Sequence, residues 1–442
     1  MIEPVGKIKR YKSRLKSLLI TSRSVTQPTA SGGSSRKNFP PEPKDWTVLY
    51  YMAGNNDIAQ DLIKKTARFE RSGSDEHLNV VVQLAQPQDS PYPGVNRFKM
   101  EKAPVSGISS VKNYLIGKFT GAKDLPRITS PRLEELGNVP MNDPQTLKDF
   151  VSWGMKNYPA EHYCVMVMDH GYGFVGTVED RDWPQKVLSL PELKQALGDA
   201  QKESGKKIDI LGFDACLMQQ AEVAYQLKNQ ADYLLASQEV EYPIGMPEGA
   251  MTQRLQEELK KGEVDPLTAG RLLAEEAAKD TEAMKTVSLV DLKQMDEVRK
   301  NTDRLAQSLL KSHISTGELK KLIHNTYNFC RVDPQDKLCT EYRDLYHFAE
   351  QLSVYPGSEP PVRKAAQEVM KSVKSAVVAQ EHQGEGEING LAVYLPEDGM
   401  LGFYDGRYTE TKVTLDVPRA YHQTDWARDT QWDEWLNTLK RK

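Results

Sequence analysis

The chain has 442 residues, a net charge of −4 and 39% hydrophobic residues, enough for two or three ordinary domains or for one large α/β domain with additions. The charge balance gives no electrostatic argument for a nucleic-acid partner, and no apolar run is long enough to span a membrane. Four cysteines, Cys164, Cys216, Cys330 and Cys339, make neither a disulfide scaffold nor a C-x-x-C zinc pair; Cys330 and Cys339 could bridge in an exported protein, but two free thiols are the preferred reading.

Residues 1–44 read as a disordered basic arm or pro-segment. Lys7, Lys9, Arg10, Lys12, Arg14 and Lys16 open it, and Ser/Gly/Pro-rich sequence from Ser31 to Pro43 follows. A secretion signal is poorly formed, since Leu18, Leu19 and Ile20 are the only apolar run after the basic residues. Residues 45–291 then read as the core. Its first strand spans Trp46 to Met52, and the turn from Ala53 to Asp57 serves as the N-cap of a helix running to about Arg71. A strand from Leu78 to Leu84 comes next. Pro/Gly-rich residues 87–140 read as a hairpin insertion, with weak strands at 97–100 and 112–116. Asp143 and Pro144 open a helix through Asn157 with Leu147, Phe150, Val151 and Met155 facing inward.

Two apolar runs follow, each ending in a reactive residue type. The first, from His162 to Met168, ends in Asp169 and His170, with Gly171 and Gly173 behind them. The second, from Ile208 to Phe213, ends in Asp214, Ala215 and Cys216. Ser189 and Pro191 start one helix between the runs, so the segment reads as a βαβ unit with neighbouring parallel strands. His170 and Cys216 then share the carboxyl edge of the sheet, where ligands bind in open α/β folds. A helical pattern through Leu217, Ala221, Ala224 and Tyr225 is expected to begin directly after Cys216, placing its thiol at a helix N-terminus that favours thiolate. Another strand, Ala231–Ser237, leads into a loop over 238–249 at the same edge. Adjacent strand residues face opposite sides, so Asp169 is not read as a triad partner of His170.

Residues 292–442 read as a mainly helical region packed on the core, with long helical patterns at 292–313, 340–353 and 361–380 and a late strand at 388–395. Trp426, Trp432, Trp435 and Leu436 read as one docking helix. The alternation of strands and helices predicts a mostly parallel sheet covered on both faces. His162, His324, His347 and His422 have no metal-ligand spacing, and the metal content is left unknown.

The motifs together resemble the clostripain-like cysteine peptidases. The matching stretches are Asp45–Asn56, Asp143–Pro159, Met168–Gly171, Gly212–Met218, Ala236–Glu239 and Asn389–Pro396, in the family's order and covering roughly residues 45–436. The resemblance implies a caspase-like α/β fold and a His170–Cys216 dyad, with Gly171 and Cys216 N–H groups as oxyanion donors. It implies cleavage after Arg or Lys, with Asp214 at the pocket for that residue, Glu239 and Glu241 adding charge from the specificity loop, and protein or peptide substrates. It also implies self-cleavage between the His and Cys segments, with Arg181 and Lys186 as processing candidates. Calcium is associated with the family, although no EF-hand-like spacing is present and no cofactor is required for the chemistry. Secretion or a periplasmic location is favoured by the resemblance, and a monomer is expected. The family's usual run after the histidine resembles His-Gly-Gly-Gly-Trp; here Tyr172 and Phe174 depart from it. Two rival readings remain at this point: a non-peptidase cysteine hydrolase or acyltransferase, and a catalytically silent binding module whose cleft Tyr172 fills.

Overall fold

β1 (Lys44–Ala53) is an apolar run whose side chains alternate between two packed clusters: Leu49, Tyr51 and Ala53 in one, and Trp46, Val48, Tyr50 and Met52 in the other. That period of two, apolar on both sides, is what a central strand covered by helices on both faces requires. The structure is a computed structural model. It describes residues 42–103, 126–242, 245–279, 286–329, 341–383, 386, 388–405 and 414–440. Most of the N-terminal arm, the strand expected at 112–116, and Cys330 and Cys339 lie outside those residues.

Among the described residues nine strands form one sheet. β1 pairs in parallel with β2 (Leu78–Gln86) on one side and β5 (Ala160–Met168) on the other. β6 (Ile210–Asp214) and β7 (Tyr233–Ala236) extend the parallel set beyond β5. Antiparallel strands close both sides. β3 (Gly94–Lys99) and β4 (Arg132–Gly137) follow β2. β8 (Thr286–Asp291) and β10 (Val377–His382) follow β7. β9 (Tyr342–Asp344) and β11 (Ala392–Tyr394) form a separate pair, as do β12 (Phe403–Asp405) and β13 (Thr414–Asp416).

One face of the large sheet is covered by α1 (Ala59–Phe69), α5 (Glu248–Leu259) and α6 (Pro266–Ala277). The other carries α2 (Pro144–Asn157), α3 (Leu190–Ser204), α4 (Ala221–Gln226) and α7 (Met295–Leu310). α9 (Leu345–Val354), α10 (Pro360–Ala376) and α11 (Val417–His422) extend that layer, as do α12 (Asp425–Asp429) and α13 (Trp432–Asn437). α8 (Thr316–Asn325) packs against α9. The caps follow the sequence. The Asp143 carboxylate accepts from Gln145 N at α2, and Ser189 with Glu192 forms a capping box at α3. Trp426, Trp432 and Trp435 are fully buried, and Trp432 Nε1 donates to Tyr394 O at 2.9 Å. Complete burial of a large apolar side chain stabilises by about 1.5–3 kcal/mol, so this aromatic group holds the C-terminus on the body.

The expected mostly parallel α/β architecture is present, and several elements differ. β4 was not foreseen, because only its intermediate residues Glu134 and Leu136 turn toward the protein and it lacks an apolar stripe. The helix expected over 361–380 stops at Ala376, where β-branched Val377 and Val378 enter β10 on the free side of β8. The pattern at 340–353 begins as strand β9 before α9, and the late strand is confined to Ala392–Tyr394. The Trp-bearing helix is two short helices, not one.

Candidate active site

Parallel pairing brings the ends of β1, β5 and β6 level: Met52 sits opposite Met168, and Met168 opposite Asp214. The loops after these three strands therefore leave the sheet at one edge. His170 and Cys216 arrive there together and line one small cavity of about 70 Å³ with Ile58, Leu62, Lys65, Asp214, Glu241 and Tyr242.

The turn carrying Cys216 is not a helix start. α4 begins only at Ala221, and Leu217 has a φ of +65°, which is costly for a bulky residue. The N–H groups that the first turn of a helix would leave free to face the thiol are spent elsewhere: Leu217 N donates to Glu239 O at 3.2 Å, and Gln219 N to Ser237 O at 2.9 Å. A helix dipole therefore does not assist the thiol. Cys216 Sγ accepts from Glu241 N at 3.3 Å and lies 3.7 Å from Glu241 O. Burial and the neighbouring Glu241 charge push its pKa up to about 12, so the described form holds a neutral thiol.

His170 is oriented by a residue that sequence reasoning placed only in a turn. Its Nε2 lies 2.8 Å from Asp57 Oδ1. Burial opposes the imidazolium, but the Asp57 hydrogen bond and the charges of Asp169, Glu179 and Asp57 outweigh it and raise the pKa to about 9. Asp57 does not cap α1, whose N-cap is Ile58 with no side-chain cap bond. Asp169 is buried and braces the loops around it. It accepts from His170 N at 2.7 Å, from Glu179 N at 2.7 Å and from Asn56 Nδ2 at 2.6 Å.

Gly171 shows why the histidine loop needs glycine. A Cβ there would overlap the carbonyl oxygen of Cys216. The two backbones lie against each other, and among the described residues neither the Gly171 N–H nor the Cys216 N–H donates a backbone hydrogen bond. Two donors without a backbone acceptor beside a thiol suit an oxyanion. Tyr172 and Phe174 turn away from this cavity. Tyr172 is buried with its hydroxyl on Glu179, and Phe174 packs against Tyr342, Tyr394 and Tyr421. Tyr172 therefore does not fill the cleft.

The cavity floor is charged and closed. Asp214 Oδ2 pairs with Lys65 Nζ, which also donates to Glu248 Oε1 at 3.0 Å. Asp214 Oδ1 accepts from Met246 N at 2.8 Å. Burial alone would raise the Asp214 pKa; Lys65 and hydrogen bonds from Glu248 and Glu241 bring it down to about 2. Burial, then the Asp214 charge, drives Glu241 and Glu248 well above the usual carboxylate range. Glu239 does not reach this cavity: it is buried, with its Oε1 accepting from Val240 N at 3.1 Å. Lys65 was not foreseen. Its sequence signal is its place in line with Ile58 and Leu62, a cation on the inward stripe of α1.

Arg181 and Lys186 are exposed on the loop between the His and Cys segments. The loop is anchored at Asp180, which accepts from Asn55 Nδ2 at 2.8 Å and Met141 N at 3.1 Å. Lys186 Nζ pairs with Glu192 at 2.8 Å. Among the described residues no group of three or more His, Cys, Asp or Glu side chains is arranged to hold a metal ion, so no calcium ligands are assigned. No described helix is long and apolar enough to cross a membrane.

A family model described as the clostripain family matches residues 52–438. Clostripain of Hathewaya histolytica is 24% identical over 87% of this chain and 83% of its own length. An inactive zymogen C11 protease from Parabacteroides distasonis is similar in structure, with a TM-score of 0.60, 16% identity and coverage of 88% of this chain and 99% of that one. A secreted C11 cysteine protease from Bacteroides thetaiotaomicron, solved with an irreversible peptide inhibitor, matches with a TM-score of 0.60, 18% identity and coverage of 88% and 100%.

Proposed function

The chain belongs to the clostripain family of cysteine peptidases, and from that premise we propose that Cys216 is its nucleophile, His170 its acid–base partner and Asp57 the residue that positions His170. Enzymes of this family act on protein or peptide substrates and need no cofactor for the chemistry. The observation that carries the residue assignment is the meeting of Cys216, the His170–Asp57 pair and two N–H groups without a backbone acceptor at one sheet edge.

The thiol proton is lost to solvent, since His170 already carries its own proton, and the thiolate adds to the substrate carbonyl. The oxyanion is held by the N–H groups of Gly171 and Cys216. His170 protonates the departing amine, leaving a thioester on Cys216. Water then adds, giving up a proton to His170, and the acid product leaves with the thiol restored. His170 is well suited to the acid role, because its environment keeps the imidazolium form up to about pH 9.

The residue before the cleaved bond is basic in this reading. Asp214 and Glu241 line the pocket, and a carboxylate is the natural partner of ammonium or guanidinium. The form described here is a resting one, with the thiol held against the Glu241 backbone. Cleavage at Arg181 or Lys186 would free the loop between the His and Cys segments and is the proposed activation step. Export is part of the same reading, in keeping with the Bacteroides neighbour described as secreted, as is a monomeric enzyme.

A peptidyl chloromethyl ketone ending in arginine tests this directly. After limited nicking with trypsin and quenching of the trypsin, intact-mass and peptide mapping should place one label on Cys216 and none in Cys216→Ala. Labelling at another residue, or none under either condition, would remove Cys216 as nucleophile.

A further inference from the structure

The pocket proposed for a basic substrate side chain already holds a cation. Lys65 is buried on α1, and its Nζ meets Asp214, Glu248 and the carbonyl of Met246. The loop over the floor is closed tightly on this pair. Gly245 has a φ of +52°, and a Cβ there would overlap Asp214 Oδ1 and stand 2.5 Å from Lys65 Nζ. The cavity left above it is only about 70 Å³. One carboxyl oxygen in its wall remains without a partner, Oε1 of the buried Glu241.

We propose that Lys65 is a specificity-determining residue: it takes the seat on Asp214 that a substrate cation would otherwise occupy, and so weakens the pocket's selectivity for long basic side chains over neutral ones of the same shape. This rests on Asp214 and Glu241 forming the pocket for the residue before the cleaved bond.

The pairing gives the reason. Lys65 already meets both Asp214 and Glu248, and Asp214 accepts from Met246 N as well, so the carboxylate that a substrate cation would seek is taken. An incoming ammonium group finds one weak acceptor, Glu241 Oε1, and gains from Asp214 only by displacing Lys65. Without Lys65, the same ammonium group would itself neutralise Asp214. A neutral side chain loses nothing from the presence of Lys65, because it needs no carboxylate.

The test compares peptides that carry lysine, its neutral isostere norleucine, arginine or citrulline before a fluorogenic reporter. The readout is the ratio of kcat/KM for lysine over norleucine within one preparation, which does not depend on the fraction of active enzyme. In the wild type this ratio should be below about 10; a charge-assisted contact is worth about 10-fold or more, so in Lys65→Met it should rise by at least that factor. Lys65→Met, Glu248→Gln should show the same rise while burying one fewer acid. A wild-type ratio above about 100, the worth of a full charge-assisted contact, overturns the inference even if neither variant folds. A ratio the same in wild type and variant, with lysine strongly preferred in both, overturns the inference and leaves the basic-residue reading standing. Norleucine equal to or better than lysine in wild type and in both variants removes the basic-residue reading itself.

Discussion

Replacing Asp57 by Asn removes the charge facing His170 Nε2 while keeping the side chain's size and a hydrogen-bonding group. The folded pKa of His170 is about 9 against the ordinary 6.5, a difference worth about 3 kcal/mol in favour of the imidazolium at 1.36 kcal/mol per pH unit. Asp57 contributes both a hydrogen bond and a charge, with Asp169 and Glu179 supplying the rest. Its loss should lower the alkaline limit of the imidazolium form by about one pH unit or more. The sign follows from the raised value. The stability that His170 contributes is fully present below pH 6.5 and is lost as pH rises through 9. In Asp57→Asn this contribution is smaller and ends at lower pH. The assay is kcat/KM from pH 5 to 10 on an arginyl peptide, beside thermal unfolding at pH 6 and pH 10. The alkaline limb should move down, with kcat/KM at neutral pH reduced about tenfold or more through lost positioning. An unmoved alkaline limb with kcat/KM within a factor of two of wild type would refute the assignment of Asp57.

Other substitutions probe neighbouring parts of the account. Gly171→Ala places a Cβ against the Cys216 carbonyl and should lower kcat/KM by about 100-fold or more, measured on protein whose circular dichroism matches wild type. Phe174→Ala removes a buried ring from among Tyr342, Tyr394 and Tyr421 and should cost about 3–5 kcal/mol in urea unfolding; a cost under 1 kcal/mol would be about what a surface site gives. Arg181→Ala, Lys186→Ala should remain one chain on a denaturing gel under conditions where wild type separates into two; separation of the variant would place processing elsewhere.

The parts of the site that were legible in the sequence are those carried by local pattern. A buried strand ending in His170 and another ending in Cys216, joined by one capped helix, suffice to bring the two residues to one edge. Asp57 was not legible as a partner of His170, because 113 positions separate them and its surroundings also read as a turn before a helix. The turn after Cys216 misled for a physical reason. Its residues carry a helical spacing of apolar side chains, but their backbone donors are taken by the 237–239 segment, a tertiary choice that periodicity does not record. Asp214 was placed at the correct edge by its strand, whereas its pairing with Lys65 depends on how α1 lies across the sheet. The departures at Tyr172 and Phe174 concerned the core and not the cleft, since the chain reverses between Gly171 and Thr177 and carries both rings inward.

The most direct test of the central claim is hydrolysis of matched peptides carrying Arg, Lys, Leu or Asp before the reporter, by wild type and Cys216→Ala, before and after nicking. The account predicts turnover of the arginyl or lysyl peptides by wild type, absent in the variant. Turnover that survives in Cys216→Ala, or that is confined to the leucyl or aspartyl peptide, would contradict it.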